Sequence, residues 1–228
     1  MKFQRFVRLF VFAALVLGLG MTSMSVSAGT HAVIMVNSTD DTFNPGDGKC
    51  TLREAITNAN NDSNSLPNSS PDCAAGSGAD TIELPASTTF LMDQVDNKSY
   101  EPNALPVVTS NVTINGHDSV LERSSAAPKF RFLQVGTSGN LTLNNLTLQK
   151  GLGWGGAIFN EGTLVVNDST FYNNQGEAGY EYDTDFEPYN GEWGGAIYND
   201  DTGNANLNHV TFLNNHAGDG AGNYHGGS

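Results

Sequence analysis

The sequence predicts an all-β fold, a parallel β-helix in which successive turns of the chain stack on one another, preceded by one short helix. The segment GGAIFNEGTLVVNDSTFYNN (155–174) is followed by the similar GGAIYNDDTGNANLNHVTFLNN (194–215). Apolar and polar residues alternate within each copy, which is typical of strands. One segment near the start, CTLREAITNAN (50–60), has helical periodicity instead.

Residues 1–28 have the pattern of an export signal. Lys2, Arg5 and Arg8 precede an apolar run from Leu9 to Gly20, and small residues at 26–28 suit cleavage after Ala28. The apolar run is about a dozen residues, whereas a membrane span needs roughly 20. We therefore expect a signal peptide that is removed, leaving no transmembrane segment and an extracellular or cell-surface protein. An uncleaved anchor is the alternative.

The mature chain is strongly acidic. Loss of the three basic residues of the signal changes the formal net charge from −14 to −17. Phosphate recognition needs a clustered basic patch, and the remaining cations are scattered. The composition therefore argues against nucleic acid as a partner.

The cysteines mark an N-terminal module that we assign to residues 29–79. Cys50 and Cys73 are the two cysteines of the chain. In an oxidising compartment an isolated pair most simply forms a disulfide, worth about 2–4 kcal/mol. Free or metal-binding thiols are the alternatives, although no histidine or further cysteine lies at zinc spacing.

The helix of this module begins with a capping signal. Thr51 and Glu54 have the spacing of a capping box, and the apolar residues of one face are Leu52, Ala55, Ile56 and Ala59. The first turn of a β-helix exposes apolar side chains and unpaired strand edges, so this helix is expected to cover it. Arg53 and Glu54 are interpreted as solvent-facing charges.

The repeats are assigned to residues 80–228, with irregular spacing at first and a nearly constant period from residue 139. The stretches 139–151, 162–176 and 204–218 align position by position, and one insertion, GEAGYEYDTDFEPYNGEW (176–193), accounts for the longer second interval. A repeat of this length cannot bury its apolar face alone and must stack on its neighbours. The equivalent apolar positions are Leu141, Leu143, Leu146 and Leu148, then Leu164, Val166, Ser169 and Phe171, then Ala205, Leu207, Val210 and Phe212.

The alignment of the two GGAI-containing copies predicts which side chains stack on one another. Ile158 is expected over Ile197, and Phe171 over Phe212, about 4.8 Å apart. The paired glycines at 155–156 and 194–195 suit corners that need positive φ or a close backbone approach. Two asparagine pairs, Asn160 with Asn199 and Asn174 with Asn215, are expected to hydrogen-bond along the stacking axis. Sugar or metal binding by these asparagines is the alternative.

Two stretches of the chain resemble known families. HAVIMVNSTDDTFNPGDGKCTLREAITNAN followed by GADTIELP resembles the N-terminal module named for its Cys-Ser-Leu-Arg-Glu-Ala motif, with Thr51 in place of the usual serine. The GGAI elements at 155–158 and 194–197, with the FxxN elements at 171–174 and 212–215, are similar to the repeats of chlamydial polymorphic outer-membrane proteins.

These resemblances imply a secreted or surface-displayed right-handed parallel β-helix, a pectate-lyase-like solenoid, over 80–228, often of adhesin type. No catalytic residues come with either motif. The ending GDGAGNYHGGS resembles the start of another turn, so the chain is expected to be a fragment of a longer protein.

The insertion 176–193 is the predicted recognition site. Aromatic residues and acids are concentrated there and at Trp154, in a segment that the period does not need, and such loops on rigid scaffolds commonly bind ligands. A carbohydrate or a host or cell-surface protein is the expected partner, and simple cover of the scaffold by these rings is the alternative. Weak Ca²⁺ binding by the acids is a further expectation, with no other cofactor. The residues are Trp154, Tyr180, Tyr182, Asp183, Asp185, Phe186, Glu187, Tyr189 and Trp193.

An enzymatic function is the second hypothesis. A polysaccharide lyase needs a base beside its carboxylates, yet no lysine or arginine follows Lys150. A glycoside hydrolase needs two carboxylates about 5–10 Å apart, for which Asp168, Asp200 and Asp201 are candidates beside predicted turns. The sequence therefore favours a binding or adhesion module without catalytic activity over a carbohydrate-active enzyme.

Overall fold

The computed structural model describes residues 31–176, 178–182, 188–192 and 194–218, the two short middle ranges by their backbone. Within these residues the chain is all-β with one helix, and most strand pairs are parallel. The predicted signal peptide and residues 219–228 lie outside the described ranges. The strands are Val33–Met35 (β1), Ala79–Glu83 (β2), Thr89–Met92 (β3), Asn111–Arg123 (β4), Leu133–Val135 (β5), Asn140–Gln149 (β6), Ile158–Asn160 (β7), Thr163–Asn167 (β8), Thr170–Tyr172 (β9), Ala178–Tyr182 (β10), Pro188–Glu192 (β11), Ile197–Asn199 (β12), Asn204–Asn208 (β13) and Thr211–Leu213 (β14).

The largest sheet is a parallel ladder in the order β1-β2-β4-β6-β8-β13. Its register pairs Leu141 with Leu164 and Leu164 with Ala205, as the repeat alignment predicts. Two residues further along, Leu143, Val166 and Leu207 are paired in the same way. The period of the repeat therefore places equivalent apolar side chains beside one another.

Two further parallel ladders follow the same stacking direction. One joins the later part of β6 to β9 and β14, and pairs Leu148 with Phe171 and Phe171 with Phe212. The other is a three-stranded sheet in the order β12-β7-β5, in which Ile158 lies between Leu133 and Ile197. Both residue pairs that the sequence predicts to stack are confirmed.

Bends with left-handed backbone separate the first two ladders. Asn145, Asp168 and His209 occupy equivalent positions with φ of 49°, 49° and 51°. Asparagine and aspartate tolerate this conformation better than most residues do, which explains the polar residue at each bend. The bend turns the chain without breaking the parallel pairing on either side.

One hydrophobic cluster runs through all three ladders, from Ile34 to Ala196. Phe171 is fully buried, and its ring lies parallel to that of Phe212 at 5.2 Å. Phe212 is 49% exposed because β14 has a strand partner on one side within the described residues. Burial therefore decreases toward the last described strands while the register is unchanged.

The predicted helix is present as Leu52–Asn61 (α1). Thr51 accepts from the Glu54 backbone N–H, and the Glu54 carboxylate accepts from the Thr51 N–H at 3.0 Å, which forms the capping box. The apolar face packs against β1, β2 and β4. The predicted disulfide is also present, with Cys50 and Cys73 Cα atoms 4.8 Å apart.

The solvent-facing interpretation of Arg53 and Glu54 is wrong. Glu54 is fully buried by its capping role, and Arg53 is 4% exposed because it pairs with Asp41 and, at 2.9 Å, with Asp96. Burial raises the pKa of the Asp41 carboxyl, against the opposing effect of Arg53. Both partners lie outside the helix and far from it in sequence, so helix periodicity alone could not reveal them.

The glycines and asparagines of the repeat have the structural roles that the sequence predicts. Gly156 has a φ of +58°, and at Gly195 a Cβ atom would collide with the backbone of His216. Asn160 donates to the Asn199 side chain at 2.6 Å, and Asn174 donates to that of Asn215 at 3.0 Å. These amides therefore join neighbouring turns of the chain.

The insertion contains strands where the sequence predicts a loop. β10 and β11 pair antiparallel, with Tyr180 opposite Asn190 and Glu181 opposite Tyr189. Tyrosine favours extended structure, and pairing satisfies the backbone groups of a long insertion.

In the described part of the chain, no helix has the length and apolar character needed to cross a membrane.

Candidate ligand-binding surface

The three-stranded sheet presents one column of side chains away from the core. Its register places Gln134 beside Phe159 and Phe159 beside Tyr198. Their neighbours one residue earlier, such as Ile158, belong to the core or pack against it. Alternation along a strand then directs the Gln134, Phe159 and Tyr198 side chains to the opposite face of the sheet.

A fully buried arginine supports this column. Arg131 Nε donates to Asn103 Oδ1 at 2.6 Å, and Nη2 donates to Ser99 O at 2.9 Å and to Gln134 Oε1 at 3.2 Å. Its Nη1 donates to the carbonyl oxygen of Trp154 at 3.3 Å. The guanidinium is therefore held by neutral acceptors, and its fixed fork orients the groups around it.

The Arg131 charge is only indirectly balanced. Burial lowers the pKa of Arg131 to about 10, and the nearby Glu101 and Glu161 oppose this effect. Gln134 links the Arg131 guanidinium to the Glu161 carboxylate, since it accepts from Arg131 and donates to Glu161 Oε2 at 2.8 Å. Arg131 therefore remains protonated at neutral pH.

Three aromatic rings form the surface above Arg131. The Arg131 guanidinium carbon lies 4.6 Å from the centre of the Phe159 ring. The Tyr198 ring is parallel to that of Phe159 at 5.5 Å, and the Tyr100 ring lies 5.6 Å away at a tilt of 58°. We refer to Tyr100, Phe159 and Tyr198 as the aromatic column. Contacts of this kind each contribute about 0.5–1.5 kcal/mol beyond burial, so they fix the rings in place.

The outer rings of the column differ in exposure. Phe159 is buried between its neighbours, Tyr198 is half-buried, and Tyr100 is 67% exposed. Partial burial raises the pKa of the Tyr198 hydroxyl, and the nearby Asp200 and Asp201 raise it further. The column therefore offers apolar ring surface and the Tyr198 hydroxyl beside carboxylates.

The segment that carries Tyr100 is fixed by a second polar residue. Asn103 is fully buried and donates to Asn97 Oδ1 at 2.7 Å and to the carbonyl oxygens of Ser99 and Glu101. The Asn103 backbone N–H also donates to the Asn97 carbonyl at 2.9 Å. Tyr100 stands at the tip of this closed turn, with a φ of 57°.

The predicted recognition residues are only partly described. Trp154 is half-buried, and its carbonyl oxygen joins it to Arg131 and so to the aromatic column. Tyr180, Tyr182 and Tyr189 lie on the strands of the β10–β11 hairpin, which the structure describes by its backbone. The remaining predicted residues, Asp183, Asp185, Phe186, Glu187 and Trp193, lie outside the described residues, so their role stays a prediction.

The structure does not bring Asp168 together with Asp200 and Asp201, the other two carboxylates nominated for hydrolysis. Asp168 lies at the bend after β8, at the level of His209 in the next turn, whereas Asp200 precedes β13. Strand β13 lies between the position of Asp200 and the position beside Asp168, and its length alone separates the two by about 15 Å. That separation exceeds the range of a hydrolytic pair. Among the described residues, no group of three metal-ligating side chains is present.

The sequence indicates only part of the aromatic column and its support. Phe159 and Tyr198 are equivalent residues of the GGAIFN and GGAIYN elements, which identifies two members of a stack. Arg131 and Tyr100 precede the recognisable repeats, and no periodic signal links them to Phe159. A charged residue inside the apolar stretch FRFLQV (130–135) is the one available sign that Arg131 has a special role.

A family model matches part of this region. It is that of the Chlamydia polymorphic membrane protein repeat, and the match covers residues 168–200, from the bend after β8 through the hairpin to the end of β12. The chain therefore contains a segment similar to that repeat. No curated protein and no solved structure gives a significant match to the chain.

Proposed function

We propose that the protein is an exported, surface-displayed right-handed parallel β-helix that binds an extracellular ligand through the aromatic column and the adjacent insertion, without catalysis. Residues 1–28 would act as the signal peptide, and module 29–79 would cover the first turn. The ligand class that best fits is a carbohydrate.

The β-helical architecture is supported by three parallel ladders that share one stacking direction. Equivalent residues of successive repeats are paired in each ladder, as in Phe171 with Phe212 and Ile158 with Ile197. Stacked repeats of this kind bury a core that no single repeat could form. Helix α1 packs over the first strands of the largest ladder, where an uncovered edge would invite association.

Surface display is supported by two independent features. The family whose repeat matches residues 168–200 is described as a membrane protein of Chlamydia, which suggests an outer-membrane or surface setting. Residues 1–28 have the composition of an export signal, and the Cys50–Cys73 disulfide suits an oxidising compartment. These features together support the predicted adhesin-like role.

The aromatic column is the single observation that carries the binding proposal. A sugar ring has an apolar face that packs on aromatic rings and hydroxyl groups that bond to carboxylates and amides. Tyr198 provides a half-buried ring with Asp200 nearby, and Glu161 accepts from Gln134 of the same sheet. The Phe159 ring is held by Arg131, and the rings of Tyr100 and Tyr198 pack on Phe159, so little conformational entropy would be lost when a ligand binds.

A glycan array with purified protein residues 29–228 tests this proposal. Tyr100→Ala removes the most exposed ring and leaves Arg131 in place, so it should abolish or strongly weaken binding with little effect on stability. Tyr172→Ala is the matched control, because Tyr172 is a partly exposed tyrosine on another ladder. A third variant, which lacks residues 177–192, measures how much the insertion contributes to glycan binding.

The outcomes separate the hypotheses. Equal binding by wild type and Tyr100→Ala, or equal loss in both tyrosine variants, would exclude the aromatic column as the binding surface. Unchanged binding after deletion of 177–192 would remove the insertion from the proposal. The same preparations are incubated with neutral and acidic polysaccharides, and new reducing ends or unsaturated products would reject the non-catalytic assignment.

A further inference from the structure

On its last four strands, the outer face of the largest ladder carries no charged side chain, and Glu83 of β2 lies at one end of this uncharged area. The first five residues of β4 and of β6, together with strands β8 and β13, each direct three residues away from the core, at twelve positions in register. None of the twelve is buried. We call these positions the amide face: Asn111, Thr113, Asn115, Asn140, Thr142, Asn144, Thr163, Val165, Asn167, Asn204, Asn206 and Asn208.

The amide face is uncharged, although the chain as a whole is acidic. The sequence has 24 acidic residues among 228, yet the amide face consists of asparagine, threonine and one valine. Acidic residues are tolerated on solvent-facing strands, so folding alone does not exclude them from these twelve positions. The face is therefore suited to a ligand that is itself uncharged.

One column of the amide face is held rigid by its own hydrogen bonds. Asn115 Nδ2 donates to Glu83 at 2.8 Å, Asn144 donates to Asn115, Asn167 to Asn144, and Asn208 to Asn167, each at 2.8 Å. Each amide nitrogen has two hydrogens, and the ladder uses one of them. The second hydrogen of each remains for a ligand at a fixed position.

The other two columns are available for hydrogen bonding. Within the described part of the chain, the side chains of Asn111, Asn140, Thr113 and Thr142 accept and donate no hydrogen bond. Neighbouring strands lie about 4.8 Å apart and alternate residues about 6.7 Å apart, so the face is a grid roughly 14 Å on each side. Hydrogen-bond donors and acceptors therefore repeat along the stacking direction at the spacing of neighbouring strands. This spacing is close to the length of one sugar residue in an extended polysaccharide.

We propose that the amide face is a second binding surface, for an extended uncharged polysaccharide lying along the stacking direction. Sugar hydroxyls donate and accept, as amides and threonine hydroxyls do, so each turn of the protein meets one sugar residue with the same groups. The strongly negative remainder of the chain disfavours anionic polymers. This inference uses residues outside the aromatic column and stands without the function proposed above.

Affinity electrophoresis in native gels tests the inference. Gels contain hydroxyethyl cellulose as the uncharged probe, or polygalacturonate as the anionic control polymer. The double variant Thr113→Val with Thr142→Val removes two hydroxyls from one column, and Val165 shows that this column accepts valine. Retardation by hydroxyethyl cellulose should weaken about tenfold, as expected from two lost hydrogen bonds.

A matched variant controls for general effects of the substitution. Thr147→Val with Thr170→Val makes the same change at paired outward positions of a different ladder, and it should leave retardation unchanged. Thermal unfolding of both variants verifies that the fold is kept. Absence of retardation in wild type, equal retardation by polygalacturonate, or equal weakening in the two double variants would each overturn the inference. A loss in Tyr100→Ala with none in Thr113→Val/Thr142→Val would assign polysaccharide binding to the aromatic column instead.

Discussion

Replacement of Phe171 by alanine measures the stacked core directly. Phe171 is fully buried, lies in register between Leu148 and Phe212, and contacts the Phe212 ring at 5.2 Å. Phe212→Ala is the matched variant, because the same side chain is removed one turn later, where it is 49% exposed. The two substitutions differ in burial and share their position in the repeat.

The expected magnitudes follow from that difference. Truncation of a buried phenylalanine costs about 3–5 kcal/mol, because transfer energy is lost and a cavity remains. A half-exposed ring loses about half of the transfer term and leaves a site open to solvent, so Phe212→Ala should cost about 1–2 kcal/mol. In a domain of this size the midpoint of thermal unfolding falls about 2–4 °C per kcal/mol, so Phe171→Ala should lower it by about 10 °C.

Urea unfolding followed by circular dichroism provides the free energies, with the slope of the transition as a check on cooperativity. A constant slope across the variants permits direct comparison. A loss below about 1 kcal/mol for Phe171→Ala, well under the range for a buried ring, would refute the shared core. Equal losses for the two variants would refute the exposure of Phe212 and show that another segment covers β14.

Three further perturbations have definite expected results. Replacement of Cys50 and Cys73 by alanine should lower the free energy of unfolding by about 2–4 kcal/mol, measured against wild type under oxidising conditions, and no change would contradict the bond seen here. Thr51→Ala should cost about 1 kcal/mol in the same assay, since it removes the cap of α1, whereas Thr51→Ser should be nearly neutral. Asp80 is buried, its Oδ2 has no hydrogen-bond partner within the described residues, and burial raises the pKa of its carboxyl above the ordinary 3.8. The folded protein then retains a proton that the unfolded chain releases, so the free energy of unfolding falls as pH rises from 3.8 through the raised pKa; Asp80→Asn should flatten this fall, and an unchanged pH series would contradict the assignment.

The repeat and the cap helix were predictable because both are local or periodic in the sequence. The constant offset between repeats determines that Leu141 pairs with Leu164, since a shift by one position would turn every apolar side chain to solvent. The Thr51–Glu54 capping box is likewise contained in a single turn of helix. The strands β10 and β11 were missed because the insertion has no counterpart in the other repeats against which its pattern could be compared.

The aromatic column shows why sites on this scaffold escape a periodic analysis. Stacking needs the same residue type in every turn, and the core ladders satisfy that need. The aromatic column instead combines different groups at neighbouring positions: Phe159 and Tyr198 occupy the repeat position that Gln134 holds one turn earlier, and Arg131 lies against the Phe159 ring. Outward positions are therefore the residues to substitute first in a search for function, both where they depart from the repeat, as in the aromatic column, and where they recur, as on the amide face. Inward positions recur as apolar residues because they form the core.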